Sequence, residues 1–192
     1  MTQQPLVLLF RGLFIAAMPL AVYFALPHYE PRLIGLFLLA AFFLRAPRKT
    51  LSFLSQHGPL AGFIVAVLGL LCLALWRSND PVWVLAYPVA INCVLLLLFA
   101  GSLLRPPSIV ERIARLQTPN LPPAAVPYTR HVTQVWCGFF MMNGGISAWT
   151  AIAASREAWL LYNGLISYLL MGALFGGELL YRRRHVGAIV RQ

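Results

Sequence analysis

The sequence predicts an all-α fold, a polytopic membrane helix bundle of about six transmembrane helices arranged as three hairpins. Two observations lead to this class. The 192 residues are 60% hydrophobic and only 10% charged, whereas a soluble domain carries about 25% charged residues. The apolar residues also fall into long runs that polar segments separate. We therefore interpret residues 1–192 as a single integral membrane domain.

Six runs are candidate spans, since crossing about 30 Å of hydrocarbon takes a helix of about 20 residues. They cover about 6–26, 31–46, 59–76, 82–104, 132–154 and 158–181. The second is the weakest, because its uncharged stretch covers only about 18 Å as a helix. It spans only if Arg32 and Arg45 extend to opposite surfaces. If it does not span, five helices remain and the N-terminus lies outside.

The first run is interpreted as a retained span and not as a signal peptide. No basic residue precedes it, Arg11 interrupts it, and no small-residue cleavage site follows. The three outer loops are short turns, which is why the helices are expected to pair as hairpins.

The basic residues predict the orientation of the chain. There are 15 Lys and Arg against 5 Asp and Glu, a formal net charge of +10, and cytoplasmic loops collect Lys and Arg. With six spans and both termini inside, only Arg32, Arg77 and Arg156 lie outside. The remaining 15 − 3 = 12 lie inside: Arg11, Arg45, Arg48, Lys49, Arg105, Arg112, Arg115, Arg130, Arg182, Arg183, Arg184 and Arg191. This asymmetry predicts a multi-pass membrane protein with both termini cytoplasmic.

The charge also bears on partners. Such an excess of basic residues in a membrane protein is typical of contact with anionic lipid headgroups. Nucleic acid is not a predicted partner, because the arginines are spread over several loops.

The cytoplasmic connection 105–131 is rich in Pro and Arg. Two consecutive prolines end the preceding helix, because proline lacks the backbone N–H and disfavours helix in the residue before it. The stretch from Ser108 to Glu111 reads Ser-Ile-Val-Glu. This is a capping box, in which the Ser hydroxyl accepts from the Glu amide and the Glu side chain returns to the Ser amide. A short helix over about 108–117 is therefore predicted.

This short helix is amphipathic. Ile109, Ile113 and Leu116 share one face at i, i+4 and i+7, and two arginines flank that face. A basic amphipathic helix that begins where a span ends is typical of the membrane interface. The pattern equally allows a helix packed on the inner ends of the bundle.

The proline-rich stretch 118–127 predicts extended polyproline II structure. Phosphate-binding and proton-handling side chains then follow at the start of the fifth span. Across the whole connection, the candidate contacts for headgroups or for a partner protein are Arg105, Arg112, Arg115, Tyr128, Arg130 and His131.

Polar residues inside the spans are the second group of candidates. Asn92, Asn143 and Asn163 are expected to hydrogen-bond between helices, because the bilayer offers no water to satisfy them. Glu178 lies near the end of the last span, with Arg182 at i+4. An interfacial salt bridge is the main interpretation. A polar path through Asn143, Asn163 and Glu178 is the alternative.

Small residues at four-residue spacing predict close approaches of helices. They occur as Gly58, Gly62 and Ala66, and again as Gly172 and Gly176. Packing within the chain is the first interpretation, and dimerisation is the second.

Motifs of catalysis and cofactor binding are not found in the sequence. It has no Walker A, GxSxG or HExxH motif. Its three cysteines lie in apolar runs without CxxC spacing, and its four histidines are scattered. No catalytic residue, metal site or cofactor is predicted. Whether the chain is an enzyme is left open, with a preference for a non-enzymatic role.

The runs "RPPSIVERIARLQTPNLPP", "YTRHVTQVWCGFFMMNG" and "WLLYNGLISYLLMGALFGGELLYRRR" resemble an uncharacterised family of small bacterial inner-membrane proteins. That family is encoded in gene clusters for aryl-polyene and xanthomonadin-type pigments, and the resemblance covers about residues 80–184. The stretch "VWCGFFMMNGGISAWTAIAASREAW" is also distantly similar to intracellular septation protein A. The first resemblance implies a setting beside enzymes of carrier-bound acyl chains and lipid-linked polyenes.

Two classes of function follow. The first is a non-enzymatic accessory or scaffold protein that uses segment 105–131 as its docking face, with lipid- or acyl-pathway proteins as partners. The second is a carrier or flippase for a lipid-linked or small amphipathic product, which would need a water-accessible cavity between helices.

Overall fold

The computed structural model describes residues 17–45 and 58–186, and within these ranges every regular element is helical. The predicted all-α class is confirmed. Residues 6–16 of the first candidate span, together with Arg48, Lys49 and Arg191, lie outside the described residues.

The helices follow one another along the chain with short connections. Helix α1 includes residues 17–25. It is followed by α2 (Pro31–Arg45), α3 (Gly58–Ser78), α4 (Pro81–Leu85), α5 (Tyr87–Leu104), α6 (Ile109–Gln117), α7 (Val126–Ala153), α8 (Arg156–Leu161) and α9 (Ser167–Tyr181). A 3-10 turn, Pro123–Ala125, precedes α7, and π-helical segments occupy Tyr162–Ile166 and Arg182–Val186.

Two helical stretches of the described chain are long and apolar enough to cross a membrane. They are Pro81–Leu104 and Arg156–Arg184. Helix α2 covers the second candidate span, and α3 covers the third. The boundaries of the second, third and fourth runs therefore agree with the sequence prediction to within about two residues, the usual uncertainty of helix ends. The stretch Arg156–Arg184 begins two residues before the sixth run and ends three residues after it.

The stretch before α7 differs from the prediction. Instead of continuous polyproline II structure up to residue 127, the chain forms a 3-10 turn at Pro123–Ala125, and α7 begins at Val126. The prolines cause this difference. A proline in the first turn of a helix has the φ angle that the helix needs, and its missing N–H would have no partner there. The polyproline prediction treated these prolines as helix-excluding, which holds only in a helix interior.

Short polar side chains fix the helix starts. Asp80 accepts the Val82 N–H at 2.9 Å and begins α4. Ser155 accepts the Ala158 N–H at 3.2 Å and begins α8. Both are N-caps, which supply an acceptor to amides that lack a helical partner.

The described chain forms two compact units. The first contains the residues up to Ala90 and Ile146–Tyr168. Its core cluster consists of Val22, Leu26, Ile34, Leu75, Val84, Leu85 and Trp159. Trp159 is fully buried, and its indole Nε1–H donates to the Leu85 carbonyl at 3.0 Å. This bond satisfies the only polar atom of the largest core side chain.

The second unit contains Ile91–Gly145 and the residues from Leu169 onward. An aromatic cluster packs α5 against α7 here. The ring of Phe99 lies 5.1 Å from that of Phe140 and 6.3 Å from that of Trp136. Phe140 is buried, so these edge-on and tilted rings form the apolar contact between the two helices.

Beside this apolar core, the described chain exposes many large apolar side chains and buries many polar ones. Large apolar side chains such as Ile152, Leu169 and Phe175 are more than half exposed. Polar side chains such as Thr133 and Ser147 are fully buried.

Candidate functional site

The turn between α5 and α6 is built around two serines. Ser102 Oγ donates to the Phe99 carbonyl at 2.7 Å and accepts the Ile109 N–H at 2.9 Å. Ser108 Oγ accepts the Glu111 N–H at 3.4 Å and caps α6. Both serines are buried. The end of α5 and the start of α6 are thereby fixed to each other.

Half of the predicted capping box forms. The Ser108 cap is present, but the Glu111 carboxylate does not return to the Ser108 amide. Instead, Glu111 Oε1 accepts from Arg115 Nη2 at 2.7 Å and from Arg115 Nε at 3.0 Å. A two-pronged, charge-assisted bond to a guanidinium is stronger than one to a neutral amide. The reciprocal part of the predicted box was therefore wrong.

Two predicted contact arginines bind backbone carbonyls near the end of α5. Arg112 Nε donates to the Pro107 carbonyl at 2.8 Å, and its Nη2 donates to the Arg105 carbonyl at 3.4 Å. Arg130 Nη1 donates to the Leu103 carbonyl at 3.1 Å. The last carbonyls of a helix lack helical partners and carry a partial negative charge. Arg130 therefore stabilises the end of α5, and Arg112 stabilises the turn that follows it.

The apolar face of α6 is open. Ile113 is 52% exposed and Leu116 is 84% exposed, and Leu104 at the end of α5 is also 84% exposed. Ile109 is half-buried, whereas Glu111 is buried. The helix thus turns its Ser108–Glu111 side inwards. The sequence left two placements of this helix open, at the membrane interface or packed on the inner ends of the bundle. Packing of Ile113 and Leu116 against the described helices is not observed.

Tyr128 and Glu178 join α7 to α9. The Tyr128 hydroxyl donates to Glu178 Oε1 at 3.1 Å, and Arg182 Nε lies 3.5 Å from the same oxygen. The Tyr128 ring stacks on the Tyr181 ring with centroids 6.0 Å apart. Burial, and then the negative charge and hydrogen bond of Glu178, raise the pKa of Tyr128 to about 12. The phenol therefore remains a donor at neutral pH. His131, the remaining predicted contact, is exposed.

The predicted asparagines have partners on neighbouring helices. Asn143 Nδ2 donates to Asn92 Oδ1 at 3.0 Å, which joins α7 to α5. Gly144 makes this approach possible, because a Cβ at that position would lie 3.0 Å from the Asn92 Cβ. The expectation that spanning asparagines bond between helices is met here.

Asn163 is the centre of a second buried polar cluster. Its Oδ1 accepts from Ser147 Oγ at 2.8 Å. Its Nδ2 donates to Thr150 Oγ1 at 3.2 Å and to the Trp159 carbonyl at 3.0 Å. The amide therefore uses both of its donors and an acceptor.

The π-helical segment coincides with Asn163. The Asn163 side chain donates to the Trp159 carbonyl, four residues earlier in the chain. In a regular α-helix that carbonyl would accept the backbone N–H of Asn163. At the end of the segment the Ser167 N–H donates five residues back, to Tyr162. Insertion of a side chain into the helical hydrogen-bond ladder is a known cause of such a local change.

Sequence reasoning missed several members of these clusters. Ser147 and Thr150 lie three residues apart, so one helix face carries both hydroxyls, and this spacing was the available signal. The bond of Trp159 to Leu85 had no such signal, because it joins residues 74 positions apart. The same holds for Tyr128 and Glu178, which are 50 positions apart.

The predicted small-residue stripes do not make the expected contacts. A Cβ placed on Gly62, Gly172 or Gly176 would meet nothing within 4 Å. Close approaches occur instead at Gly35, Gly144 and Gly164, which belong to none of the predicted stripes. Spacing identifies a smooth helix face, but the neighbour that reaches it depends on the tertiary arrangement.

A shallow groove lies between α1 and α8. It is lined by Leu20, Tyr23, Glu157, Leu160, Leu161, Gly164 and Leu165. None of the four polar candidates of the spans lines this groove. It is therefore not the polar path that the sequence left as an alternative.

Comparisons with protein-family models, curated proteins and solved structures found no match to this chain. Within residues 17–45 and 58–186, no group of three or more His, Cys, Asp or Glu is placed to hold a metal ion. The chemistry that the described site offers is the recognition of anions by arginine beside exposed apolar side chains.

Proposed function

We propose that this chain is a multi-pass accessory or scaffold protein of the bacterial inner membrane, and that its segment 105–131 is the cytoplasmic docking face. About six spans form three hairpins in this proposal, and both termini are cytoplasmic. The role is non-enzymatic. The resemblance to proteins of pigment gene clusters suggests support for the synthesis of a lipid-linked polyene or a related acyl product.

The membrane setting is supported by the exposed apolar side chains and the buried, hydrogen-bonded polar ones. In hydrocarbon, apolar side chains face outwards at no cost, while backbone and side-chain polar groups must be satisfied inside the protein. The exposed Leu169 and Phe175 and the buried Asn92–Asn143 pair fit these conditions. The 12-to-3 distribution of basic residues supports the orientation.

The observation that carries the docking role is the exposed apolar face of α6. Ile113 and Leu116 point away from the described helices, and Arg105 and Arg130 are exposed in the same segment. A helix with apolar residues on one face and arginines beside them lies at the boundary between headgroups and acyl chains. Each such arginine contributes about 1 kcal/mol near an anionic leaflet.

The carrier alternative receives less support. It needs polar side chains that are available to a substrate in the interior. The Asn163 amide already hydrogen-bonds Ser147, Thr150 and the Trp159 carbonyl. The Glu178 carboxylate accepts from Tyr128 and pairs with Arg182. These partners fit a structural role for both side chains.

Topology reporters test the orientation. A reporter that is active only in the cytoplasm should be active when fused after Gln192 and silent when inserted in the loop before Arg156. The opposite result would contradict the orientation and the cytoplasmic placement of segment 105–131.

The docking face is tested by a polarity-sensitive fluorophore in the full-length chain. It is attached to a cysteine at Leu116, or at the exposed Asn120 as the control, after replacement of Cys72, Cys93 and Cys137 by serine. We expect emission typical of an apolar environment, and quenching by spin-labelled lipids, at 116 but not at 120. Equal, water-like emission at both positions would contradict a membrane-docked α6.

A cellular test addresses the accessory role. In a host that carries the pigment gene cluster, a strain that lacks this protein should lose the lipid-linked product and recover it with the wild-type chain. The double variant Ile113→Ser and Leu116→Ser should fail to restore the product at normal protein level. Full restoration by this variant would exclude α6 as the functional docking face.

A further inference from the structure

Two guanidinium groups bind the turn that joins α5 to α6, and a third arginine, Arg105, belongs to that turn. Arg112 and Arg130 bind carbonyls of residues 103, 105 and 107, and Arg105 belongs to the same stretch. Five residues extend over no more than about 18 Å even when fully stretched. Arg112 and Arg130 therefore bind the same short stretch of backbone from which the exposed Arg105 side chain extends.

Among the described residues, no carboxylate is bonded to Arg105, Arg112 or Arg130. The acidic residues of this unit are Glu111 and Glu178. Glu111 is bonded to Arg115, and Glu178 is bonded to Tyr128 and Arg182. The Arg105 guanidinium has no partner among the described residues. An anion that binds at this turn would therefore relieve the mutual repulsion of three like charges.

The arginines also have donors to spare. Arg112 uses Nε and Nη2, which leaves the hydrogens of Nη1, and Arg130 uses only Nη1, which leaves Nε and Nη2. The carbonyl bonds hold both planar groups in place. Guanidinium groups match the oxygen geometry of phosphate, and groups fixed before binding lose less entropy when they bind.

The surroundings of the turn are apolar. Leu104, Pro106 and Pro107 are exposed directly beside the three arginines. A ligand with both a phosphate and a hydrocarbon tail would satisfy the whole surface. We propose that Arg105, Arg112 and Arg130 form a binding site for a lipid phosphomonoester. This inference rests on the proposed docking of segment 105–131 at the membrane.

The charge of the ligand distinguishes a monoester from an ordinary phospholipid. A phosphomonoester carries about −1.5 to −2 at neutral pH, with three oxygens that accept strongly. A phosphodiester headgroup carries a single negative charge. Three guanidinium groups therefore favour the monoester beyond a general attraction to anionic lipid.

The test uses the full-length protein in a neutral detergent and two short-chain lipids with the same acyl chains. Dioctanoyl phosphatidic acid is the monoester, and dioctanoyl phosphatidylglycerol is the diester. Isothermal titration calorimetry at about pH 8, above the second pKa near 6 of a phosphomonoester, gives both dissociation constants. We expect phosphatidic acid to bind at least about tenfold more tightly, the ratio that one further charge-assisted hydrogen bond provides.

Three variants assign the preference to the turn. Arg105→Gln removes a guanidinium that has no structural bond, so the fold is retained, and the affinity for phosphatidic acid should fall about tenfold. Arg130→Lys keeps the charge but not the planar fork, so it should reduce the preference for the monoester. Arg183→Gln, at an exposed position outside the turn, is the charge-matched control and should leave both constants unchanged.

Several results would overturn the site. Equal binding of the two lipids would mean a diffuse attraction only, and would leave the proposed membrane docking intact. An equal loss of affinity in Arg105→Gln and Arg183→Gln would also exclude the turn. Tight binding of inorganic phosphate, with no gain from the acyl chains, would identify free phosphate as the ligand. Failure to bind either lipid would overturn the headgroup contact of the proposed function as well.

Discussion

The Asn79 side chain accepts the backbone N–H of Arg32 at 3.2 Å, although the two residues are 47 positions apart. Asn79 Oδ1 thereby serves an amide in the first turn of α2, where no helical acceptor exists. The next residue, Asp80, caps α4. Two adjacent side chains at the end of α3 thus fix the starts of two different helices.

Asn79 also has a left-handed backbone conformation, with φ of 50°. Two substitutions can therefore separate the contribution of the side-chain cap to stability from that of the backbone conformation. Asn79→Gly removes the side-chain acceptor, but glycine adopts the left-handed backbone without strain. Asn79→Ala removes the same acceptor and also strains the backbone, because alanine disfavours this conformation. We expect losses in the free energy of unfolding of about 1 kcal/mol for Gly and about 2–3 kcal/mol for Ala. Unfolding by sodium dodecyl sulfate in mixed micelles measures both. Equal losses would show that the backbone conformation contributes nothing.

Gly144 and Gly145 provide a matched pair of neighbours. A Cβ at Gly144 would lie 3.0 Å from the Asn92 Cβ, whereas a Cβ at Gly145 would meet nothing within 4 Å. Gly144→Ala should cost about 1–3 kcal/mol, because α5 must shift and the Asn143–Asn92 bond must lengthen. Gly145→Ala should be neutral or stabilise by up to about 1 kcal/mol through helix propensity. The same unfolding assay compares them, and an equal effect of both would exclude close packing at Gly144.

The cluster around Asn163 predicts a strong energetic coupling. Asn163→Leu leaves the buried Ser147 hydroxyl without its acceptor and should cost about 1–3 kcal/mol. Removal of both partners, as Ser147→Ala with Asn163→Leu, should cost less than the sum of the single variants. A double-mutant cycle measures the difference. Additive effects would mean that the Ser147–Asn163 bond contributes nothing to stability.

Glu178 is expected to be structural rather than a proton carrier. Glu178→Gln keeps an acceptor for the Tyr128 hydroxyl and removes only the charge that faces Arg182. Interfacial ion pairs are worth about 0–1 kcal/mol, so stability and the cellular function should change little. Loss of the lipid-linked product at normal protein level would contradict this prediction. Recovery with Asp but not with Gln would then favour the carrier.

The phenol of Tyr128 predicts a dependence of stability on high pH. Tyr128 precedes the fifth proposed span, and its pKa is raised from 10.0 to about 12. A raised pKa means that the neutral phenol stabilises the folded state fully below pH 10. That stabilisation is lost as the pH rises towards 12. The difference in melting temperature between wild type and Tyr128→Phe should therefore shrink in this range, and a constant difference would contradict the assigned bond.

The elements were predictable because their signals are local. Hydrophobic runs gave the helices, and the Ser108 cap followed from a four-residue pattern. The Glu178–Arg182 pair followed from i,i+4 spacing. The site was less predictable, since its bonds join distant parts of the chain. The bond from Arg130 to the Leu103 carbonyl spans 27 positions, and backbone acceptors leave no trace in the side-chain pattern.

The π-helical segment Tyr162–Ile166 also affects how homologous chains can differ in length. Removal of one residue from a regular α-helix turns everything that follows by about 100°, which would carry Glu178 and Tyr181 to another face of α9. A π segment already holds one surplus residue, and it can revert to an α-helix when that residue is lost. A deletion within 162–166 would therefore preserve the orientation of every side chain after Ser167. A single codon can therefore be deleted there without a change in the packing of α9.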